Sequence, residues 1–128
     1  MTSSDVAGGR KRSYPMLLLA VESVFNSALE KGGMNRYQAF AFTYDEMERL
    51  LNVSSPWIRC ATHIALFKVA HANGVHLKLG DPFESDVRDE LRDSLNAVDI
   101  STLKDATSVQ DLGNFERDAE LVHGAYLC

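Results

Sequence analysis

The spacing of apolar residues along the chain predicts five helices. Within each segment the apolar residues recur three or four positions apart, which places them on one face of a helix. The first helix is expected over 15–31, where Leu17, Val21 and Val24 follow this spacing. Pro15 suits its first turn, because the N–H group that proline lacks has no partner there.

The third predicted helix, over 56–73, is apolar around almost its whole circumference. Ser55 is placed to cap it, Pro56 to occupy its first position and Gly74 to end it. A helix without a polar face has to be covered by other elements. We therefore expect this helix to be central and buried.

Capping motifs predict where the other helices begin. Thr43-Tyr44-Asp45-Glu46 has the pattern of a capping box and would open a second helix that runs to Leu51. Ser85 would cap a fourth helix over 85–98. Thr107-Ser108-Val109-Gln110 has the same capping-box pattern and would open a fifth helix over 108–122.

Two further segments favour extended structure. Residues 37–42 are short and aromatic, and fit either a brief strand or an extended linker. Residues 75–79 alternate between apolar and polar, which indicates a short strand, and Gly80-Asp81-Pro82 follows as a turn. The predicted fold is mainly α: a compact five-helix domain with a helix-turn-helix-like centre and one or two short strands.

The centre of the chain carries the motif with a possible mechanism. Met47, Leu51 and Ile58 fall where the two helices of a helix-turn-helix touch, and Asn52 tolerates the positive φ of the turn. Residues 43–64 therefore resemble the helix-turn-helix of DNA-binding regulators.

The wider order of elements is similar to the start of a winged-helix domain. The segments over 17–29, 40–51 and 56–68 resemble the C-terminal winged-helix region of origin-recognition ATPase subunits. The chain departs from the pattern at Glu48, where alanine is usual, and in having no second wing strand after residue 80. The resemblance implies DNA binding, with nucleic-acid contacts from the basic arm and the third helix: Arg10, Lys11, Arg12, Arg59, His63 and Lys68.

Charge divides the chain into two parts. Residues 1–13 are predicted to be a flexible basic arm and residues 14–128 a single helical domain. Residues 1–80 hold nine Lys or Arg and six Asp or Glu, a net charge of +3, whereas residues 81–128 hold four and twelve, a net charge of −8. The acidic part could dock on a basic protein surface, mimic nucleic acid, or form a solvated helix face. The basic arm could contact phosphate, serve nuclear import, or be a solvated tail.

These features favour a small regulatory or accessory protein, of the kind found in viruses, over an enzyme. The first hypothesis is a non-enzymatic interaction module that binds a protein partner or self-associates through its amphipathic acidic helices. Candidate contacts for the partner are Val87, Leu91, Leu95, Leu112 and Phe115. The alternative is the helix-turn-helix or winged-helix DNA binder.

Other chemistry is not indicated by the sequence. No phosphate loop, zinc-protease or nucleophile-elbow motif is present, so we expect no catalytic residues, cofactor or metal. Cys60 fits a core residue, although a Cys60–Cys128 disulfide remains an alternative. No apolar run is long enough for a membrane span, and an intracellular, reducing compartment is expected.

Overall fold

The computed structural model describes residues 12–52, 55–76, 82–98, 109–110 and 114–127. In chain order these form β1 (Arg12–Ser13), α1 (Tyr14–Glu30), α2 (Arg36–Glu46), α3 (Glu48–Leu51), α4 (Pro56–Ala72), α5 (Pro82–Asn96), β2 (Val109–Gln110) and α6 (Phe115–Tyr126). The prediction of a mainly α fold is confirmed. The described residues contain six helices, one more than the apolar pattern predicted.

Helix α4 is the centre of the fold, as its all-round apolar character predicted. It contacts α1, α2, α3, α5 and α6. Ten of its residues are buried, among them Cys60, Ile64, Leu66 and Phe67. Ser55 caps the helix by accepting from the Ile58 N–H group at 3.3 Å. Gly74 follows it with a φ of 72°, a conformation that favours glycine.

Helix α1 also agrees closely with its predicted bounds. The Ser13 side chain accepts from the Met16 N–H group at 3.2 Å, and Pro15 lies in the first turn. Its buried stripe includes Leu17, Val21 and Phe25, which pack in the common core. This stripe is why α1 lies against both α4 and α2.

Helix α2 corrects two predictions. Residues 37–42 are helical and form neither a strand nor a linker, and the residues of the expected capping box at 43–46 lie inside the helix. The actual capping box is Asn35 with Gln38, in which each side chain accepts from the backbone N–H group of the other residue. The Thr43 hydroxyl donates back to the Ala39 carbonyl instead of capping. Helical structure prevails because it buries Ala39, Phe40, Thr43 and Tyr44 on one face.

The last two helices begin elsewhere than predicted. Helix α5 starts at Pro82, so Ser85 lies inside it and Pro82 belongs to the helix rather than to a turn. Helix α6 starts at Phe115, whereas Val109 and Gln110, expected inside the fifth helix, pair in parallel with Arg12 and Ser13. The Thr107–Gln110 motif is therefore not the start of this helix, and residues 107 and 108 lie outside the described residues. The strand expected over 75–79 is not confirmed: Val75 and His76 follow α4 without strand structure, and residues 77–79 are not described.

A buried carboxylate connects three helices. Asp118 of α6 is 4% exposed and accepts from the Tyr14 hydroxyl at 2.6 Å and from Lys68 Nζ at 2.9 Å. The Tyr14 ring also packs edge-on against Phe115, with centroids 5.3 Å apart. Near the other end of α6, the Tyr126 hydroxyl donates to the Val75 carbonyl at 2.7 Å. These bonds hold α6 across α1 and α4.

Candidate functional site

An open groove of about 580 Å³ lies between α5 and the elements α2, α3 and α4. We call it the acidic groove, because its lining includes five exposed carboxylates: Asp45, Glu48, Asp86, Glu90 and Asp93. The other lining residues are Tyr44, Leu51, Asn52, Arg59, His63, Val87, Ser94 and Ala97. Among the described residues that line the groove, five carboxylates, one guanidinium and a neutral histidine give a formal charge of −4.

Helical spacing explains why these side chains share one groove. Asp86, Glu90 and Asp93 are separated by four and three residues, so they line one face of α5. Val87 and Leu91 of the same helix are buried against the core, which fixes the orientation of that face. Arg59 and His63 are likewise four residues apart on α4. The α4 and α5 walls of the groove are therefore stripes of residues three or four positions apart.

A chain of hydrogen bonds crosses the floor of the groove. The Tyr44 hydroxyl donates to the Glu90 carboxylate and lies 3.1 Å from His63 Nε2. His63 Nδ1 lies 3.0 Å from the Arg59 carbonyl oxygen. Because a carbonyl oxygen can only accept, Nδ1 carries the proton of the neutral ring and Nε2 has the lone pair. The chain links α2, α4 and α5 at one point.

Burial shifts the pKa values of His63 and Tyr44, the two buried members of this chain. His63 is 4% exposed, and burial lowers its pKa to about 4; its bond to the Arg59 carbonyl opposes the shift and the Arg59 guanidinium adds to it. Burial, followed by the hydrogen bond to Glu90, raises the pKa of Tyr44 above its ordinary range. His63 is therefore a neutral ring near pH 7, and Tyr44 keeps its proton.

The structure separates the residues predicted to contact nucleic acid. Arg59 lies in the acidic groove, His63 is buried beneath it, and Lys68 forms an ion pair with Asp118. Arg10 and Lys11 lie outside the described residues, and of Arg12 only the backbone is described, in β1. His63 is thus corrected from a surface contact to a core residue, and Lys68 is already neutralised.

The residues predicted to contact a protein partner are mostly core residues. Val87, Leu91 and Phe115 are buried, and Leu95 packs partly buried against the same core. Leu112 lies outside the described residues. The apolar faces of α5 and α6 thus pack on α4, and this part of the prediction is corrected. Large exposed apolar side chains occur instead on α1, α2 and α6, and these are Met16, Leu19, Tyr37, Phe42 and Leu121.

The α2–α3 wall of the groove and the roles of Tyr44 and Glu90 were not predicted from the sequence. Asp86, Glu90 and Asp93 belong to residues 81–128, for which a solvated helix face was one of three alternatives. The i, i+4 spacing of acidic residues on α5 was a readable signal for one wall. No local signal showed that this face would lie opposite Asp45 and Glu48, because that depends on contacts between distant segments.

A smaller cavity of about 220 Å³ lies beside the end of α4, lined by His71, His76, Arg88, Ala125 and Tyr126. Within the described residues, no group of three His, Cys, Asp or Glu side chains is arranged to hold a metal ion.

Cys60 is a free, buried thiol, and Cys128 is not described. None of the helices in the described segments has the length and apolarity needed to cross a membrane.

Comparison with known proteins returns no relative: no protein-family model, no curated protein and no solved structure matches the chain.

Proposed function

We propose that this protein is a non-catalytic interaction module that binds a basic segment of a protein partner in the acidic groove. The observation that carries the proposal is the placement of five exposed carboxylates around one open groove, against one guanidinium among the described lining residues. Interfaces place potentials of opposite sign against each other, and such fields also speed association. A lysine- or arginine-rich segment has the charge that complements this lining.

The same geometry argues against nucleic acid as the ligand. Phosphate binding depends on local positive charge, whereas Arg59 is surrounded by carboxylates and Lys68 is paired with Asp118. Along α4, only Pro56, His71 and Ala72 are exposed, so the helix has no free face to place in a DNA groove.

The proposal is tested with a fluorescein-labelled peptide of alternating arginine and serine, measured by fluorescence anisotropy. We expect saturable binding that weakens as salt increases, because exposed charges are screened. The triple variant Asp86→Asn, Glu90→Gln, Asp93→Asn removes three charges from the α5 wall. We expect it to bind at least about tenfold more weakly, a change of roughly 1.4 kcal/mol.

A matched control removes three exposed charges outside the groove, in the variant Glu30→Gln, Glu116→Gln, Glu120→Gln. It has the same net charge as the groove variant and should bind within about threefold of the wild type, since distant exposed charges are screened. Equal weakening by the two variants would show attraction by net charge alone and would reject the groove as the site. Tighter binding of a duplex DNA of matched length than of the peptide would instead support the DNA-binding alternative.

A further inference from the structure

When the Glu90 carboxyl is ionised, the hydrogen-bond chain on the groove floor has one proton fewer than its contacts require. Two contacts have to be bridged: His63 Nε2 to Tyr44 Oη, and Tyr44 Oη to Glu90 Oε1. Each hydrogen bond requires a proton between its two heavy atoms. The proton of neutral His63 is already used at Nδ1, toward the Arg59 carbonyl. Tyr44 therefore has one proton for two bonds when Glu90 is ionised.

One added proton satisfies both contacts. If it binds to Glu90, the carboxyl group donates to Tyr44 Oη, and the Tyr44 hydroxyl turns to donate to His63 Nε2. If it binds instead to His63 Nε2, a charged ring has to form in a site that is 4% exposed. Charging a buried imidazole is unfavourable. The exposed carboxyl of Glu90 is therefore the better place for the added proton.

The charged groups around the chain favour the same arrangement. Asp45 faces the groove from α2, Glu48 from α3, and Asp86 and Asp93 from α5. Arg59 of α4 supplies the guanidinium of the lining. Neutralising one carboxylate among five reduces their mutual repulsion. It also removes one of the negative charges that a basic partner would contact.

We propose that Glu90, Tyr44 and His63 form a proton-binding chain, in which the Glu90 carboxyl holds one proton that a cationic side chain of the partner displaces. The second half of this inference rests on the proposed function. The proton comes from solvent and returns to solvent; only the Glu90 O–H bond forms and breaks. On its release, the Tyr44 hydroxyl turns from His63 back to the Glu90 carboxylate. The groove thus exchanges a proton for a cation.

The chain itself is tested in the free protein by NMR titration of the Glu90 Cδ and His63 Nε2 signals. We expect both signals to change together in one step, because one proton reorders both hydrogen bonds. Tyr44→Phe keeps the buried ring but cuts the chain, so the common step should disappear. Tyr14→Phe is the matched control, since it removes the tyrosine–carboxylate bond to Asp118, away from the groove, and should leave the step unchanged.

Two results would overturn the chain. One is independent titration of Glu90 and His63 in the wild type, with midpoints that Tyr44→Phe does not alter. The other is a change of the His63 Nε2 signal, at the common step, to the signal of an imidazolium. That change would place the proton on His63.

Exchange with a cation is tested by calorimetry with the arginine–serine peptide in two buffers of different ionisation enthalpy, below the pH of the common step. We expect up to one proton to be released per bound peptide in the wild type, and close to none in Tyr44→Phe. Binding without proton release in the wild type would contradict the exchange. Failure of the peptide to bind at all would refute the proposed function and the exchange, whereas the NMR step would still decide whether the chain exists.

Discussion

Two tyrosine–carboxylate hydrogen bonds occur among the described residues, in contrasting surroundings. Tyr14 donates to Asp118 and Tyr44 donates to Glu90. Asp118 is buried and also accepts from the Lys68 ammonium at 2.9 Å, so its charge is balanced within the fold. Glu90 is exposed, and the described lining of the same groove contains four further carboxylates and the Arg59 guanidinium.

The difference shows what each carboxylate is suited for. A buried charge has to be paired and hydrogen-bonded, and Asp118 satisfies this requirement with donors from two other helices. Its three-residue cluster is complete and holds α1, α4 and α6 together. The cluster at Glu90 is short of a proton and lies in a groove with excess negative charge. It is therefore suited to respond to protons and cations from outside.

The largest expected effect is the loss of Asp118. Asp118→Ala leaves the Lys68 ammonium and the buried Tyr14 hydroxyl without this acceptor, so we expect the free energy of unfolding to fall by about 3 kcal/mol. Urea denaturation followed by circular dichroism measures the change. Glu120→Ala on the same helix is exposed and should stay within about 0.5 kcal/mol of the wild type. A similar decrease in the free energy of unfolding in both variants would show that Asp118 contributes no more to stability than an exposed carboxylate does.

A second effect depends on pH and arises at the groove cluster. The unfolded chain protonates His63 near its ordinary pKa of 6.5, whereas burial in the folded state lowers that pKa to about 4. The unfolded state therefore binds more protons between these values, and the free energy of unfolding falls as pH decreases through this window, by up to about 3 kcal/mol. In His63→Gln, the free energy of unfolding should depend less on pH.

Tyr44→Phe sharpens this second prediction. In the wild type, the proton that the intact chain binds in the folded state offsets part of the decrease in the free energy of unfolding. The free energy of unfolding should therefore depend most steeply on pH in Tyr44→Phe. Denaturation at intervals between pH 4 and 7 measures the slopes. The expectation fails if the wild type and Tyr44→Phe have equal slopes, or if His63→Gln retains the full dependence.

The smallest expected effect is the loss of Glu90. Glu90→Ala should change the free energy of unfolding by less than about 1 kcal/mol, because the residue is exposed and Tyr44 can donate to His63 instead. The same denaturation experiment measures it beside Asp118→Ala. A loss as large as that of Asp118→Ala would mean that Glu90 is also a structural carboxylate.

The parts of the fold that the sequence predicted are those determined locally. Helices α1 and α4 have a proline in the first turn, a serine cap and glycines after the end, and all of these are visible in the chain. The first part of α2 was missed because its aromatic residues favour strands in isolation, although the Asn35–Gln38 capping box was present. Val109 and Gln110 were assigned to a helix because their pairing with Arg12 and Ser13 depends on chain segments almost a hundred residues apart.

The candidate site was less predictable than the fold for the same reason. The sequence identified the acidic face of α5, but its neighbours in the groove come from three other helices. Arg59 and His63 were selected for their side-chain chemistry, and both line the groove, although His63 does so from below the surface. Which charges face one another is decided by how helices pack, and helical periodicity does not contain that information.

The burial of Cys60 has a practical consequence. Its thiol is fully covered in the first half of α4, and burial raises its pKa to about 12, so the reactive thiolate is scarce at neutral pH. An alkylating reagent can modify this sulfur only in molecules whose interior has opened. The chain has two cysteines, so replacement of Cys128 by serine leaves Cys60 as a single reporter. The rate of its modification then measures how often the native protein exposes its own centre, without denaturant or an added label.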